Sequence, residues 1–472
     1  MPRTKIVCTL GPSSCEPGIL QEMVRAGMDL ARINLSHGNP DGHRKLVTDL
    51  RRAAEAVGRP VPILMDLQGP KIRVGHLDEP LELSPGQRVV LAPEGTHREW
   101  EIPTTYVFLA EDLKEGERVL LDDGLLEMVC AKIEGDRAEM EVTRGGTLLS
   151  HKGINLPGVD IREPSLTPKD LADLEFALEM EAEFIGLSFV RKPQDVLELK
   201  ERVQGRAKVV AKIEKAEALK WIHGILEATD AVMVARGDLG VELPFEQVPL
   251  AQKRIIQLAN YHGRHVITAT QMLESMINGP RPTRAEVSDV ANAILDGTGA
   301  VMLSGETAVG RNPLKAIEAL VRIAEEIDRS GAMDRGPAYL PLEEVPERSG
   351  ASSREHAVAS ASVESARTLG ASAIIALTRT GFTAQLLSSY KPPVPIFAVC
   401  TEPLVLRQLQ AVWGVIPILT DVAEATYENL WLFGRQAVVA SGAGRAGDSV
   451  VVTAGYPFHT AGSTNTMRVE RL

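Results

Sequence analysis

Val209-Val210-Ala211-Lys212-Ile213-Glu214 decides the fold: a short, mostly β-branched apolar run that ends on charged residues. Such a run is too short for a buried helix and reads as a strand covered on both faces. Seven more runs of the same kind stand at 5–9, 30–35, 61–67, 184–189, 231–234, 265–270 and 300–304. Helical periodicity lies between them, at 41–57, 167–179, 245–261, 283–296 and 312–329. Thr167-Pro168 and Asn312-Pro313 each place an N-cap residue before a proline at the first helical position. Eight strands alternating with helices predict an α/β protein built on a parallel (β/α)8 barrel.

The alternation is interrupted from about 70 to 164. There the strand-like runs 81–83, 87–91, 118–121, 125–130 and 137–143 are short, and turns such as Ser84-Pro85-Gly86 and Asp122-Asp123-Gly124 separate several of them. An inserted all-β lid domain, a β-barrel, is therefore expected after the third barrel strand, beside the mouth where βα loops lie. After the Pro- and Gly-containing stretch 331–346, helix and strand alternate again at 355–369, 373–377, 396–400, 415–419, 422–438 and 449–453. The expected domains are a barrel over 1–69 and 165–344, the lid over 70–164, and a C-terminal α/β regulatory domain over 345–472.

Composition narrows the function. The chain has 472 residues, 44% hydrophobic and 24% charged, with a net charge of −12. That is an ordinary globular composition. The negative charge and the 4% aromatic content speak against a nucleic-acid partner. Cys8, Cys15, Cys130 and Cys400 form neither a disulfide framework nor a zinc motif. No apolar run reaches the ~18 residues of a membrane span, and the N-terminus has no signal-peptide pattern. A cytoplasmic protein with no membrane partner is expected. The chain closes just after a strand, so no further C-terminal domain is expected.

Barrel enzymes carry their chemistry at the C-terminal ends of the strands. Those ends hold Asn34 and Ser36, Asp66, Ser188, Lys212 and Glu214, Asp238, Thr270, and Ser304 and Glu306. Strand ends are exposed and polar in any case, so the argument rests on their convergence over one mouth. Lys212 and Glu214 are two apart on a strand and share a face. They form either a local ion pair or a metal-ligating carboxylate beside a cation that neutralises a transferring group. Asp238 lies in Ala235-Arg236-Gly237-Asp238-Leu239-Gly240, where the glycines suit a tight turn with exposed N–H groups for a carboxylate or phosphate. Glu214 and Asp238, with no His or Cys nearby, suit a hard cation such as Mg²⁺ or Mn²⁺.

Other motifs fail. Gly442-Ala443-Gly444-Arg445-Ala446-Gly447 fits a dinucleotide fingerprint in letters, but follows a helix and precedes a strand, the reverse of what that fingerprint needs. No P-loop, hydrolase elbow or HExxH spacing occurs.

Six ordered runs resemble the pyruvate kinase family: Thr4-Lys5-Ile6-Val7-Cys8-Thr9, Ala31-Arg32-Ile33-Asn34-Leu35-Ser36-His37-Gly38, Val234-Ala235-Arg236-Gly237-Asp238-Leu239-Gly240, Ala269-Thr270-Gln271-Met272-Leu273-Glu274-Ser275-Met276, Pro280-Arg281-Pro282-Thr283-Arg284-Ala285-Glu286 and Met302-Leu303-Ser304-Gly305-Glu306-Thr307. The match is densest over 4–70 and 150–320. The resemblance implies transfer of the phosphoryl group of phosphoenolpyruvate to ADP, followed by protonation of the enolate. It implies Lys212 and Arg32 as cations on the phosphoryl group, and Glu214 and Asp238 as Mg²⁺ ligands. Gly237 and Asp238 would hold the substrate carboxylate, and Ser188 and Phe189 would line the pocket. Thr270 would serve protonation through a water relay involving Ser304 and Glu306. For the nucleotide the matching positions are Asn34, His37, Arg73 and, from the lid, Lys152. A homotetramer is implied by the resemblance alone.

Many members place K⁺ near Asn34, Ser36, Asp66 and the following carbonyl, here that of Leu67. In those members the run after the Asp often reads Thr-Lys-Gly-Pro-Glu. Here it reads Leu67-Gln68-Gly69-Pro70-Lys71, so Lys71 replaces the usual Glu and its ammonium is expected to stand in for K⁺. Thr378-Arg379-Thr380-Gly381-Phe382-Thr383 resembles the family's loop for phosphorylated effectors, with Thr378, Arg379, Thr380, Gly381 and Thr383 as contacts. Two other readings stay open: a Mg²⁺-dependent lyase or aldolase acting on a pyruvate enolate, and a non-catalytic effector-binding relative. The identity of the effector and the cooperativity are not legible.

Overall fold

Eight strands, Lys5–Thr9, Leu30–Asn34, Ile63–Asp66, Phe184–Leu187, Lys208–Ile213, Ala231–Ala235, His265–Ala269 and Ala300–Leu303, close into a parallel barrel. They do so in the computed structural model of the chain, which describes residues 2–339, 351–422, 426–457 and 463–472. The ring follows chain order, with Lys5–Thr9 paired to both Leu30–Asn34 and Ala300–Leu303. Val7, Leu30, Leu64, Val210, Met233, Ile267 and Met302 form a buried cluster of barrel residues, while Ile6, Ile33, Ile63, Val209, Val232 and Val301 belong to the cluster shared with the helices. Strands buried on both faces need continuous apolar runs, as their sequences have.

Side-chain caps open several of the helices. Asn39 Oδ1 accepts the Gly42 N–H at 2.9 Å ahead of Pro40–Val57. Thr167 with Asp170, and Thr283 with Glu286, form capping boxes. Asn312 departs from expectation: it precedes Pro313–Ser330 but its side chain makes no cap bond, its backbone lying at φ −135°, ψ 58° rather than in the extended region.

Three further differences bear on the site. The strands stop before Leu35, Leu67, Ser188, Thr270 and Ser304. Phe189 at φ 54° and Thr270 at φ 66° are left-handed, a conformation no pleat accommodates. The expected turn at 235–240 is instead a helix, Arg236–Glu242, in which neither Gly237 nor Gly240 takes a positive φ.

The insertion enters after Ile63–Asp66 and returns before Phe184–Leu187, with a core of its own that includes Val74, Leu91, Val119, Met128 and Met140. It is not one closed ring. A six-stranded sheet runs Ile154–Asn155, Arg118–Leu121, Leu126–Glu134, Arg137–Arg144, Arg88–Pro93, Ile102–Thr104, and Gly146–Leu148 pairs separately with Leu81–Leu83. Register shifts at Glu127/Met128 and Cys130/Lys132 interrupt the sheet, and Gly146 turns the chain at φ 152°. Its tip touches the barrel: a Cβ on Gly124 would lie 3.8 Å from Val241 Cγ1.

The C-terminal sheet runs Val415–Leu419, Ile396–Cys400, Ala373–Leu377, Ser449–Ala454, Thr466–Arg471, with only the last strand antiparallel. Helices Ala351–Leu369, Phe382–Ser389, Pro403–Gln410 and Tyr427–Ala440 accompany it. The last of these starts at Tyr427 under a Thr426 cap, not at 422. The expected boundary at 344/345 and residues 423–425 lie outside the described residues. This domain docks at the N-terminal ends of the barrel strands. Arg407 and Arg51 both pair with Glu183, Lys5 Nζ donates to the Val415 carbonyl at 3.1 Å, and Gln385 Nε2 donates to the Asp230 carbonyl at 3.0 Å. Among the described residues no helix is long and apolar enough to cross a membrane.

Candidate active site

Lys212 is the next-to-last residue of the fifth strand, Lys208–Ile213, and points into a buried polar knot. Its Nζ lies 2.9 Å from Glu214 Oε1 and 3.3 Å from Asp66 Oδ2, and it donates to Ser188 Oγ at 2.7 Å. Burial alone would lower the lysine pKa; Asp66 and Glu214 outweigh it and hold the pKa above its ordinary value, so the ammonium stays charged. Burial would also raise the Asp66 carboxyl, yet Lys212 and Arg32 pull it below the usual range. Arg32 reaches Asp66 Oδ2 at 2.6 Å and donates to Thr9 Oγ1 at 3.1 Å.

The knot depends on Gly186. A Cβ there would come within 2.6 Å of Asp66 Oδ1, so any side chain would displace the carboxylate. The structure thus brings Arg32, Asp66, Ser188, Lys212 and Glu214 together. It adds Thr9 and Gly186, which the strand-end pattern did not single out.

Glu214 uses both oxygens: Oε1 on Lys212, and Oε2 on the Phe189 N–H at 2.7 Å. Its carboxyl pKa is raised, by burial first and by the charge of Asp238 as well, against the pull of Lys212. Two repelling carboxylates at one mouth are a donor set for a hard divalent cation. Mg²⁺ takes one or two protein carboxylates and completes its shell from water and substrate oxygens. The residues fit Mg²⁺.

Thr270 follows the seventh strand, two places round the ring from Lys212. Its Oγ1 accepts the Gly237 N–H at 2.7 Å and donates to the Ala269 carbonyl at 2.6 Å. In this structure the Gly237 N–H expected to hold a substrate carboxylate is therefore engaged by Thr270. Arg236 is the residue the sequence reading passed over. Its guanidinium donates to the Thr270 carbonyl at 2.7 and 3.2 Å and to the Gln271 carbonyl at 3.1 Å, and it pairs with Asp289 at 2.6 Å. It holds two consecutive left-handed residues, Thr270 and Gln271 at φ 54°, where non-glycine residues are strained. The only hint was a basic residue two places before Asp238 in a glycine-containing run.

Glu306 does not join Thr270. Its buried carboxylate accepts the Leu273 N–H at 3.0 Å and the Ser304 N–H at 2.7 Å, while Ser304 Oγ is buried with no partner among the described residues. No direct hydrogen-bond chain to Thr270 passes through this pair.

Asn34 Oδ1 accepts the Ser36 N–H at 3.1 Å, and the Leu67 carbonyl accepts Ser188 Oγ at 2.7 Å. Together with Asp66, three of the four residues matched to a monovalent cation thus already have protein donors on their oxygens. Lys71 is not one of those donors: its Cε lies 3.5 Å from where a Cβ on Gly153 would sit, on the insertion side. Arg73 bridges to Gly153 and donates to the His151 carbonyl at 2.9 Å, and Lys152 pairs with Asp122 at 2.9 Å. Exposed His37 lies beside Asn34, which accepts its N–H at 3.3 Å.

In the C-terminal loop, Thr378 Oγ1 accepts the Gly381 N–H at 3.0 Å, and Thr383 Oγ1 is buried against Thr464 Oγ1 at 2.8 Å. Arg379 and Thr380 line the cleft facing the barrel.

Comparison with known proteins agrees with this geometry. Residues 1–317 match the family model described as pyruvate kinase, barrel domain, and residues 356–470 match that for pyruvate kinase, alpha/beta domain. The chain is 44% identical to pyruvate kinase 2 of Synechocystis over 99% of this chain and 79% of that one. It is 43% identical to pyruvate kinase of Mycobacterium intracellulare over 100% of this chain and 98% of that one. It is 42% identical to pyruvate kinase of Mycobacterium tuberculosis, again over 100% and 98%.

Proposed function

The chain belongs to the pyruvate kinase family and is a phosphotransferase; from that premise we propose that it transfers the phosphoryl group of phosphoenolpyruvate to ADP, giving pyruvate and ATP, in the cytoplasm. The observation that carries the reading is the buried Lys212 ammonium, held charged by two carboxylates at the end of a barrel strand.

Phosphoryl transfer asks for alignment and charge neutralisation more than covalent chemistry. Lys212 and Arg32 supply two fixed cations at one side of the mouth. Glu214 and Asp238 would hold Mg²⁺, which when bound adds Lewis-acid stabilisation of developing oxygen charge. As substrate enters, its carboxylate takes the N–H groups of Gly237 and Asp238, releasing Thr270 Oγ1 from Gly237. The freed hydroxyl orders a water over the enolate carbon and passes on its proton, since a Thr hydroxyl is too weak an acid to act alone. Arg236 keeps Thr270 in place. Asn34, His37, Arg73 and Lys152 take the nucleotide, and the insertion acts as a lid that excludes water.

Turnover does not require K⁺ on this reading. Lys71 forms no ion pair within 4.0 Å among the described residues and its Cε lies beside Gly153, so its charge is not spent on a carboxylate. Phosphorylated effectors act through 378–383. A homotetramer accounts for exposed apolar residues on the barrel flank, Phe245 at 85% exposure among them. The test is pyruvate formation with Mg²⁺ and either K⁺ or tetramethylammonium as the bulk cation. Equal rates, each dependent on ADP, are expected. Pyruvate released without ADP would overturn the kinase reading, and a steep requirement for K⁺ would overturn the role of Lys71.

A further inference from the structure

The chain crosses from the barrel to the insertion and back over two short linkers. On the way out, Leu67 packs in the barrel core and Ile72 in the core of the insertion. On the way back, Ile161 lies against the insertion core and Leu166 in that of the barrel. The crossings are therefore confined to 68–71 and 162–165. The outgoing one is pinned where Asp170 Oδ1 accepts the Gly69 N–H at 3.0 Å. At that point a Cβ on Gly69 would lie 2.9 Å from Phe189 Cδ2 and 3.0 Å from Ser188 Cβ, so this linker rests on the loop after the fourth barrel strand.

Arg191, on the same loop, holds the returning linker at both ends. Its guanidinium donates to the Ile161 carbonyl, to the Glu163 carbonyl at 2.8 Å and to Ser165 Oγ at 3.3 Å. Its own backbone N–H is fixed on Asp195 Oδ2 at 2.9 Å, ahead of the helix Pro193–Val203. The Nε is buried with no partner among the described residues, a cost that a purely stabilising clasp would avoid. A cavity of about 570 Å³, lined by Asp112, Arg162, Glu163, Arg191 and Glu198 among others, flanks the linker and leaves it room to swing. Both crossings thus meet on the loop from Ser188 to Arg191, and the Phe189 N–H on that loop holds Glu214 Oε2 at 2.7 Å.

We infer that Arg191 is the positioning residue on which the insertion pivots, and that it transmits the attitude of the insertion to the Phe189 N–H and so to the Glu214 carboxylate. This rests on the reading of the insertion as a lid and adds to it: closure over the nucleotide and the setting of Glu214 are one motion. Phe189 is suited to carry that motion. Its left-handed backbone, at φ 54°, persists only while the surroundings impose it, and the two linkers are part of those surroundings. A few loop residues of this kind are enough to absorb a domain closure.

Hydrogen exchange of the full-length protein, read by mass spectrometry with and without ADP and Mg²⁺, tests this. In the wild type the ligands should slow exchange in the insertion and in 187–192 together. In Arg191→Gln the insertion should keep most of its protection while 187–192 no longer follows. The Mg²⁺ concentration for half-maximal activity should rise by about threefold or more, the scale on which residues linking two sites act. Arg162→Gln removes the linker's pairs with Glu111 and Asp112 inside the insertion and should keep the coupling of the wild type. If Arg191→Gln loses its thermal transition, Arg191→Lys carries the same expectation, because a single ammonium does not span the acceptors along the linker. Protection of the insertion alone in the wild type, coupling that survives in Arg191→Gln, or its equal loss in Arg162→Gln would overturn the pivot and leave the lid standing. No protection of the insertion in the wild type would overturn both readings.

Discussion

The Lys212 ammonium and the Glu214 carboxylate are held 2.9 Å apart, both buried at the mouth of the barrel. Neither charge tolerates that position alone; in the proposed reaction they would serve as a fixed cation and as a ligand for a divalent metal.

Replacing Lys212 by Met removes the cation and leaves Glu214 without its ion-pair partner. The kcat should fall by about 10³-fold or more, the scale of a lost cationic stabiliser in phosphoryl transfer. Stability should drop by about 3–5 kcal/mol, the usual cost of stranding a buried charge. Steady-state kinetics and a thermal melt read the two effects. Lys212→Arg should recover most of the stability and little of the rate, because a planar fork does not replace a point charge.

Glu214→Gln should raise the Mg²⁺ concentration for half-maximal activity by more than about tenfold, since even groups behind a metal's ligands are worth that much. EDTA should abolish turnover in the wild type, and Mg²⁺ should restore it. An unchanged Mg²⁺ dependence in the variant would remove Glu214 from the metal site.

Arg236→Gln loosens the left-handed pair Thr270 and Gln271. The kcat should fall by about tenfold or more, given about 1.5–3 kcal/mol for a hydrogen bond to a charged group. The KM for ADP should not move. Exchange of pyruvate methyl protons with solvent should fall in parallel, because the lesion acts through Thr270; a fall in overall rate with normal exchange would place Arg236 elsewhere.

The barrel was legible because strands covered on both faces must be continuous apolar runs, and the polar residues at their ends then had to converge. Lys212, Glu214 and Asp66 could be found by that route alone. The left-handed backbone at Phe189 and Thr270 left no trace in residue type, since tertiary contacts impose it. Arg236–Glu242 read as a turn because its glycines suggest one, whereas the fold uses them inside a helix. Gly186 looked like a neutral strand residue until the Asp66 carboxylate stood beside it. The ring expected for the insertion became two sheets because bulges are set by pairing partners, which a single strand does not reveal.

Lys391 gives a pH test remote from the site. It is buried over Trp413, and burial lowers its pKa to about 7. Unfolded, the same lysine keeps its ordinary pKa of about 10.4. Between these values the unfolded chain binds a proton that the folded protein does not, so stability rises with pH across that window. The slope approaches about 1.4 kcal/mol per unit. Lys391→Met should remove that contribution, so its stability relative to wild type should be greatest near pH 7 and decline toward pH 10. A difference constant with pH would mean that Lys391 is charged throughout.

The most direct measurement is a single turnover with phosphoenolpyruvate labelled in its phosphoryl group, ADP and Mg²⁺, comparing the wild type with Lys212→Met. Label should pass to ATP, with one pyruvate formed per ATP, and the variant should show almost none while still binding substrate. Label released as inorganic phosphate, or equal transfer by the variant, would contradict the assignment of Lys212 as the cation on the transferring group.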